Sequence, residues 1–244
     1  MTLHQRVEEA RARARAPISQ FLVGAAAEGL SGSVYLGFNL EIPGLGLQHT
    51  VHAEQAAVAL AHWGRESGLR RVAVSAPPCG HCRQFLREIQ TRSPLTIELP
   101  EGVCLTLEQL LPHSFGPEDL GAQTGLLEVT SQLPARTATD PEAMAREAAL
   151  CSWSPYTHTQ SGVALRCGQH WLAGSYLENA AFNPSLNPVQ YALVRAVDEG
   201  HSLEEVEEIL FWERSSGVSL YPASLAVAGV LPRKPALRRL TTSP

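Results

Sequence analysis

The chain has 244 residues, of which 44% are hydrophobic and 18% are charged. This length and composition predict a globular protein with one large domain or two small ones. The formal net charge is -5 at pH 7, so there is no general excess of Lys and Arg to neutralise a phosphate backbone. The charge therefore argues against nucleic acid as a partner and favours a small neutral substrate.

The N-terminus and the hydropathy of the chain argue against a membrane partner. No run of about 18 apolar residues occurs in the sequence. The first residues, MTLHQRVEEARARARAP, lack the apolar core of a secretory signal. Their Arg-Ala alternation resembles a transit peptide faintly, but Glu8 and Glu9 favour a surface-exposed helix that Pro17 ends. We therefore expect a cytoplasmic protein.

The five cysteines have no regular spacing, which is typical of a reducing compartment rather than of a disulfide framework. Three of them have no partner at metal-ligand spacing: Cys104, Cys151 and Cys167. We expect these three to be buried free thiols.

The first half is predicted, in chain order, to form a hairpin, a helix, a strand, a second helix and a further strand. Small and apolar residues flank the Gly-Ser cluster between Gly29 and Gly32, which predicts the hairpin. HTVHAEQAAVALAHWGRESG predicts a helix that begins near His52. RRVAVSAPP predicts a buried strand, CGHCRQFLREIQ the second helix, and LTIELP the further strand. This order favours an α/β layer with helices packed on a central sheet and parallel connections.

A change of composition follows FGPEDLG. The stretch AQTGLLEVTSQLPARTATDPEA loses periodicity and gains Thr, Pro and Gly, which is typical of a linker. We therefore divide the chain into a catalytic domain at residues 1–120, a linker at 121–145 and a second domain at 146–244. Near the C-terminus, RKPALRRL is interpreted as a solvated end, with an anionic partner as the alternative.

The second half repeats features of the first half. GVALRCGQHWLAGSYLE is similar to GAAAEGLSGSVYLGFNLE, and both end in Gly-x-x-Leu-Glu. NPVQYALVRAV then stands where HAEQAAVALAH stands, with Asn187 and Val189 in place of His52 and Glu54. No Cys-x-x-Cys follows. We interpret the second half as a degenerate copy that kept the scaffold and lost the chemistry, with chance similarity as the alternative.

The motifs HAE at residues 52–54 and PCGHC at residues 78–82 together predict a catalytic zinc site. Such a site takes three protein ligands and leaves a fourth position for water. Cys79 and Cys82 lie in the first turn of a helix, whose N-terminus favours their thiolate forms, and His52 can supply the third ligand. Glu54 would then carry protons without binding the metal. A structural zinc knuckle or a redox pair is the alternative, but neither needs the His-x-Glu motif, and no second Cys pair is present.

The combination of H-x-E with P-C-x-x-C is the signature of zinc deaminases. HAEQ, PPCGHCRQFL and the upstream FNLE resemble the cytidine deaminase family, and YLENAAFNP and FGPEDL resemble its larger, two-domain, homodimeric form. The resemblance extends from Ile18 to about Val197. It implies a three-layer α/β/α fold with a mixed central sheet, duplicated with a degenerate second copy. It also implies one Zn2+ per chain.

The resemblance implies roles for individual residues. The implied zinc ligands are His52, Cys79 and Cys82, with Glu54 as the catalytic proton shuttle. The implied substrate-binding residues are Phe21, Asn39, Glu41, Ala53, Phe115 and Phe182. Among them, Asn39 and Glu41 would hydrogen-bond the ribose 3′-hydroxyl, and Phe21 would pack near the pyrimidine ring. Phe115 and Phe182 would close the pocket of the same or the neighbouring subunit, and the sequence does not assign them to either.

The reaction that the resemblance implies is the hydrolytic deamination of cytidine and deoxycytidine to uridine and deoxyuridine, with release of ammonia, as in pyrimidine salvage. One alternative is a deaminase that acts on a base within RNA or DNA, which the acidic charge argues against. A nucleoside antibiotic is an alternative substrate. A zinc-bound but inactive protein is the remaining alternative, and the intact Glu54 argues against it.

Overall fold

The computed structural model describes residues 2–89, 94–214 and 217–240 of the chain. They form two compact units. The first unit contains Met1–Glu41, Thr50–Gln132 and Asn179–Pro184, and the second contains Ile42–His49, Leu133–Glu178 and Ser185–Pro244. Each unit therefore includes a short segment from the other half of the sequence.

The first unit is built on one mixed sheet. Its strands are β1 (Gly24–Gly29), β2 (Val34–Phe38), β3 (Leu69–Val74), β4 (Thr96–Glu98) and β5 (Cys104–Thr106). Its helices are α1 (Leu3–Arg11), α2 (Ala53–Trp63), α3 (Gly80–Arg87) and α4 (Leu107–Leu110). The strand order is β2-β1-β3-β4-β5, in which β3 and β4 are parallel and the other neighbours are antiparallel. The predicted elements are therefore present, although β3 and β4 are the one parallel pair among the described strands of this sheet. The predicted end of the second helix, at Gln90, lies outside the described residues.

Helices cover both faces of this sheet because side chains alternate along its strands. Leu36 lies in a buried cluster with Leu3 and Val7 of α1. Gly37 faces the opposite side, where a Cβ would lie 2.0 Å from the carbonyl oxygen of Ala53 in α2. The predicted three-layer arrangement is confirmed. The expectation of a surface-exposed first helix is wrong in one respect, since the apolar side of α1 packs on the sheet.

The second unit repeats this architecture. Its helices are α5 (Pro141–Leu150), α6 (Pro188–Asp198) and α7 (Tyr221–Val230), and its strands are β6 (Gln160–Cys167), β7 (His170–Ser175), β8 (Val206–Arg214) and β9 (Ala236–Arg239). The strand order β7-β6-β8-β9 matches β2-β1-β3-β4, and again the last pair is parallel.

Matched glycines show that the two copies pack their helices in the same way. A Cβ at Gly24 would lie 2.4 Å from the backbone of α1, and one at Gly162 would lie 2.2 Å from the backbone of α5. A Cβ at Gly37 would lie 2.0 Å from α2, and one at Gly174 would lie 2.2 Å from α6. Real Cβ atoms do not approach so closely, so each helix can touch its strand only where the side chain is absent. The predicted duplication is therefore confirmed.

The stretch predicted as a linker, residues 121–145, is packed chain rather than a free tether. Leu126 and Leu127 are fully buried, and their backbone N–H groups each donate at 2.9 Å to a carbonyl just after α3. The first unit extends through this stretch to Gln132, and α5 begins at Pro141. The division into domains at residues 1–120 and 146–244 with a linker between them stays a prediction.

Two smaller expectations are corrected. The stretch RKPALRRL contains β9, which pairs with β8, so it is an edge strand rather than a solvated end. Cys104 is exposed, whereas Cys151 and Cys167 are buried and form no disulfide, as expected. Among the described residues, no helix combines the length and the apolar character needed to cross a membrane.

Candidate metal centre

Two helix N-termini of the first unit present the predicted metal ligands. His52 is the N-cap residue of α2, and its backbone N–H donates to Oε1 of Gln55 at 3.1 Å. Cys79 is the N-cap residue of α3, and Cys82 lies in the first turn of that helix. Because a helix N-terminus carries a partial positive charge, it stabilises thiolates at these positions.

The three ligand atoms lie at separations close to those of a tetrahedral zinc site. They all lie within 4.8 Å of one another. Sγ of Cys79 lies 3.6 Å from Sγ of Cys82, and Nδ1 of His52 lies 3.6 Å from Cys79 and 3.2 Å from Cys82. With Zn–S and Zn–N bonds of about 2.3 and 2.1 Å, tetrahedral geometry gives about 3.8 Å between sulfurs and about 3.6 Å between sulfur and nitrogen. The donor set therefore fits zinc with a fourth position open.

The two thiols have opposite pKa shifts. The hydrogen bond with Cys82 and then the one with His52 lower the pKa of Cys79 from 9.0 to about 3. The hydrogen bond with Cys79, together with burial, raises the pKa of Cys82. Cys82 therefore holds its proton more strongly than Cys79 does, and a cation that binds both sulfurs must displace that proton.

Glu54 is a buried carboxylate beside these ligands, and its residue is 3% exposed. Its Oε2 accepts a hydrogen bond from the Cys82 thiol at 3.1 Å. Burial raises the pKa of Glu54, and the hydrogen bond from Cys82 opposes this shift only in part. A carboxylate with a raised pKa is a stronger proton acceptor, which suits general acid–base chemistry.

His81 contacts the cluster, although the sequence predicted no role for it. Its ring stacks on that of His52, with ring centroids 4.9 Å apart and planes inclined by 26°. Burial and then the charge of His52 lower the pKa of His81, which favours the neutral ring. The stacking places the His81 ring directly against the His52 ring. The signal available in the sequence was the position of His81 between the two cysteine ligands.

Asn39 and Glu41 hold the segment that carries Phe21. Oδ1 of Asn39 accepts the Val23 N–H, and its Nδ2 donates to the Phe21 carbonyl, both at 2.8 Å. Oε2 of Glu41 accepts backbone N–H groups at 2.7 Å from Ile18 and at 3.2 Å from the next residue. Both side chains are buried, with 7% and 3% of the residue exposed. The sequence did not predict these backbone contacts.

The aromatic residues named from the sequence are exposed rather than core residues. Phe21, Phe115 and Phe182 have exposed fractions of 61%, 47% and 57%. Ala53, by contrast, is fully buried in the first turn of α2, next to His52. The structure thus brings the three ligands and Glu54 together in one cluster, and brings Asn39 and Glu41 together around the Phe21 segment.

The second unit uses the corresponding position differently. Asn187, the N-cap residue of α6, accepts the Val189 N–H at 2.9 Å and the Ser224 hydroxyl at 3.1 Å. Its side chain therefore caps its own helix. Throughout the described parts of the chain, the metal-binding geometry occurs only at His52, Cys79 and Cys82.

Comparisons with known proteins find relatives for both halves of the chain. A family profile described as "Cytidine and deoxycytidylate deaminase zinc-binding region" matches residues 1–96, and a second profile of the same description matches residues 107–224. A cytidine deaminase of Vibrio cholerae is 46% identical over 213 residues, which are 85% of this chain and 71% of the relative. A cytidine deaminase of Vibrio atlanticus is 43% identical over 210 residues, which are 85% of this chain and 71% of that relative. The crystal structure of the Mycobacterium tuberculosis cytidine deaminase superposes on this chain with a TM-score of 0.43 and 38% sequence identity. The match covers 47% of this chain and 94% of the Mycobacterium tuberculosis chain.

A duplicated α/β scaffold with one His-Cys-Cys zinc site beside a buried carboxylate defines a zinc-dependent deaminase. The two profile matches and the identity to the Vibrio cholerae protein then place the chain within that class. It belongs to the cytidine deaminase family, in a two-domain form.

Proposed function

We propose that this protein converts cytidine and deoxycytidine, with water, to uridine and deoxyuridine and ammonia, and that it serves pyrimidine salvage. The observation that carries this proposal is the arrangement of the first unit, in which three zinc-competent ligand atoms converge beside a buried carboxylate that is not one of them. Family membership supports the same reaction.

The proposed cofactor is one zinc ion per chain, held by His52, Cys79 and Cys82. When bound, zinc acts as a Lewis acid that lowers the pKa of a coordinated water toward neutrality. The three side chains leave room for that water because they supply only three donors. His81 supports the site by stacking on His52.

Glu54 is the proposed proton carrier. It takes a proton from the attacking water and delivers it to ring N3 as the oxygen adds to C4. It then carries a second proton to the departing amine, so that ammonia leaves and the C4 carbonyl forms. Burial keeps the carboxylate away from bulk water and raises its pKa, which supports transfer in both directions near neutral pH.

Asn39 and Glu41 are the proposed contacts of the ribose 3′-hydroxyl. Both side chains can form further hydrogen bonds beyond their backbone contacts. Nδ2 of Asn39 has a second hydrogen in addition to the one that it donates to Phe21. Oε1 of Glu41 accepts one long bond, 3.3 Å from the Ser19 N–H, so it can accept another. A hydroxyl can therefore donate to Glu41 and accept from Asn39. Because both residues are buried, a substrate without that hydroxyl would leave polar groups unpaired.

Phe21, Phe115 and Phe182, with the buried Ala53, are the proposed walls of the base pocket. An exposed aromatic ring on an ordered backbone offers a flat apolar surface to a pyrimidine. We also propose that the protein is a homodimer, which would cover part of this exposed aromatic surface. The sedimentation coefficient of the purified protein tests the dimer.

The proposed division of labour is a catalytic domain at residues 1–120, a linker at 121–145 and a non-catalytic domain at 146–244. The helix-capping contacts of Asn187 and the apolar Val189 support the loss of chemistry in the second copy. We propose a cytoplasmic location because the two cysteine ligands must stay reduced to bind zinc.

The test is the ultraviolet absorbance of cytidine, deoxycytidine and free cytosine incubated with the purified protein. The expected result is conversion of both nucleosides but not of the base, because the base lacks the sugar that Asn39 and Glu41 bind. Retained zinc with no change in any substrate would instead support an inactive binding protein.

A further inference from the structure

Helix α3 does more than supply two zinc ligands. Beyond Cys82, two polar side chains of α3 and that of its C-cap residue Glu88 reach two separate loops of the first unit. Gln84 and Arg87 reach residues 114–118, and Gln84 together with Glu88 reaches residues 179–182. These two loops carry Phe115 and Phe182.

The first loop is held at three points. Nε2 of Gln84 donates to the Phe115 carbonyl at 2.9 Å. Nε of Arg87 donates to the Ser114 hydroxyl at 3.0 Å, and the same guanidinium pairs with Glu118. Because the contacts lie on both sides of Phe115 and on its own carbonyl, the backbone there is fixed relative to α3.

The second loop is held through a reciprocal amide pair. Nδ2 of Asn179 donates to the backbone carbonyl of Gln84 at 3.0 Å, and Nε2 of Gln84 lies 3.5 Å from Oδ1 of Asn179. One turn later, the fully buried Glu88 accepts the Ala180 N–H at 2.8 Å. A buried carboxylate that accepts a backbone N–H is a strong, directional contact.

Asn179 also shapes the turn that presents Phe182. Its Oδ1 accepts the Ala181 N–H at 3.0 Å, and its carbonyl accepts the Phe182 N–H at 2.8 Å. Phe182 has a φ of 61°, in the left-handed region that a bulky residue rarely adopts. Such a conformation persists only where surrounding contacts impose it.

We propose that Gln84 and Asn179 are positioning residues that set Phe115 and Phe182 relative to the zinc ligands, and so determine how tightly the pyrimidine base is bound. The two aromatic rings are about half exposed, so burial alone does not hold them in place. Gln84 contacts both loops, and it lies on the helix that Cys79 caps. This inference rests on the proposed function.

The test compares Gln84→Ala and Asn179→Ala with a matched control. Gln123 is exposed and donates its side-chain amide to the Gly121 carbonyl at 3.2 Å, so Gln123→Ala loses the same kind of bond away from α3. We expect KM for cytidine to rise about 10-fold in the first two variants, as the loss of a positioned hydrogen bond predicts, with a much smaller change in kcat. Zinc content should be unchanged, and Gln123→Ala should match the parent.

A double-mutant cycle and hydrogen exchange distinguish positioning from general damage. Gln84→Ala should add little to the KM of Phe115→Ala, because both changes remove the same contact with the base. In Asn179→Ala, the Phe182 amide should exchange faster while the amides of α3 keep their protection.

The outcomes separate the two proposals. If the parent converts nucleosides but the Gln84→Ala and Asn179→Ala variants keep its KM, the proposed function stands and the positioning role is refuted. Equal losses of zinc and kcat would also refute positioning, since they would indicate that α3 itself is disrupted. If the parent converts no nucleoside, the proposed function fails and the positioning role fails with it.

Discussion

Replacing Glu41 by glutamine separates its structural contribution from its proposed sugar contact, because the second unit contains a matched residue. Glu178 follows β7 as Glu41 follows β2. Oε2 of Glu178 accepts the N–H groups of Tyr156 and Thr157 at 2.9 and 3.2 Å, and Oε2 of Glu41 accepts two successive N–H groups at 2.7 and 3.2 Å. Each carboxylate therefore holds the loop of its own unit.

The expected loss of stability follows from these contacts. Glutamine replaces one acceptor oxygen by an NH2 group and removes the charge, so each site loses at least one charge-assisted bond, worth about 1.5–3 kcal/mol. Both residues are buried, at 3% and 0% exposure, so water recovers little of that loss. We predict that Glu41→Gln and Glu178→Gln each lower the free energy of unfolding by about 2–3 kcal/mol, measured by urea denaturation.

Substrate use should distinguish the two variants. Glu41→Gln should raise KM for cytidine about 10-fold, whereas Glu178→Gln should keep the parental KM. With 3′-deoxycytidine, which lacks the contacted hydroxyl, the parent and Glu41→Gln should perform alike. Equal KM values for cytidine in both variants would refute the sugar contact. Undiminished stability of Glu178→Gln would refute the structural argument.

The same variant has a defined pH dependence. Burial raises the pKa of Glu41, but hydrogen bonds from Ser19 and Ile18 outweigh burial and lower the pKa below its ordinary value of 4.5. The ionised carboxylate therefore stabilises the fold fully above the unfolded value and loses this effect as pH falls through the lower, folded pKa. The difference in stability between the parent and Glu41→Gln should shrink in acid.

Three further predictions concern the metal centre and Asn179–Pro184, the segment of the second half that belongs to the first unit. Glu54→Gln should bind zinc and fold like the parent, but its kcat, measured by steady-state kinetics, should be about 10²–10⁴-fold lower. Substantial residual turnover would contradict the role of Glu54 as proton carrier. Zinc binding should release at least one proton because Cys82 must ionise, so the apparent affinity for zinc should fall about 10-fold or more for each unit by which the pH decreases. Calorimetry in two buffers with different ionisation enthalpies measures this proton release. If no proton is released, binding by both thiols is contradicted. A chain ending at Gln132 lacks Asn179–Pro184 of the first unit, so it should lose activity, and full activity of that fragment would contradict the proposed role of Phe182.

The three candidate metal ligands could be picked out from the sequence because local motifs carry them. Cys-x-x-Cys at a helix start and a histidine at the N-cap of the preceding helix have few geometric alternatives once each helix begins where its cap is. The duplication was also predictable, since Gly-x-x-Leu-Glu and the helix that follows recur in the same order. Each motif can be recognised within a single element, although His52 and Cys79 are 27 positions apart.

Contacts between distant residues were not predictable in this way. Asn179 and Gln84 are separated by 95 positions, and nothing in either local pattern indicates that they form a pair. Nor does the pattern RKPALRRL indicate β9, because its pairing depends on β8 already being in place. Likewise, Glu41 appeared as a sugar contact, whereas its backbone partners at residues 18 and 19 emerge only from the fold.

The most direct test of the central claim is a zinc titration of the protein after a chelator has removed its metal. Activity toward cytidine should be absent at first, rise linearly with added zinc and reach its maximum at one zinc per chain. The Cys82→Ala variant should not recover under the same conditions, because it has only two of the three donors. Full activity in the presence of chelator, or full recovery of Cys82→Ala, would contradict a catalytic zinc at His52, Cys79 and Cys82.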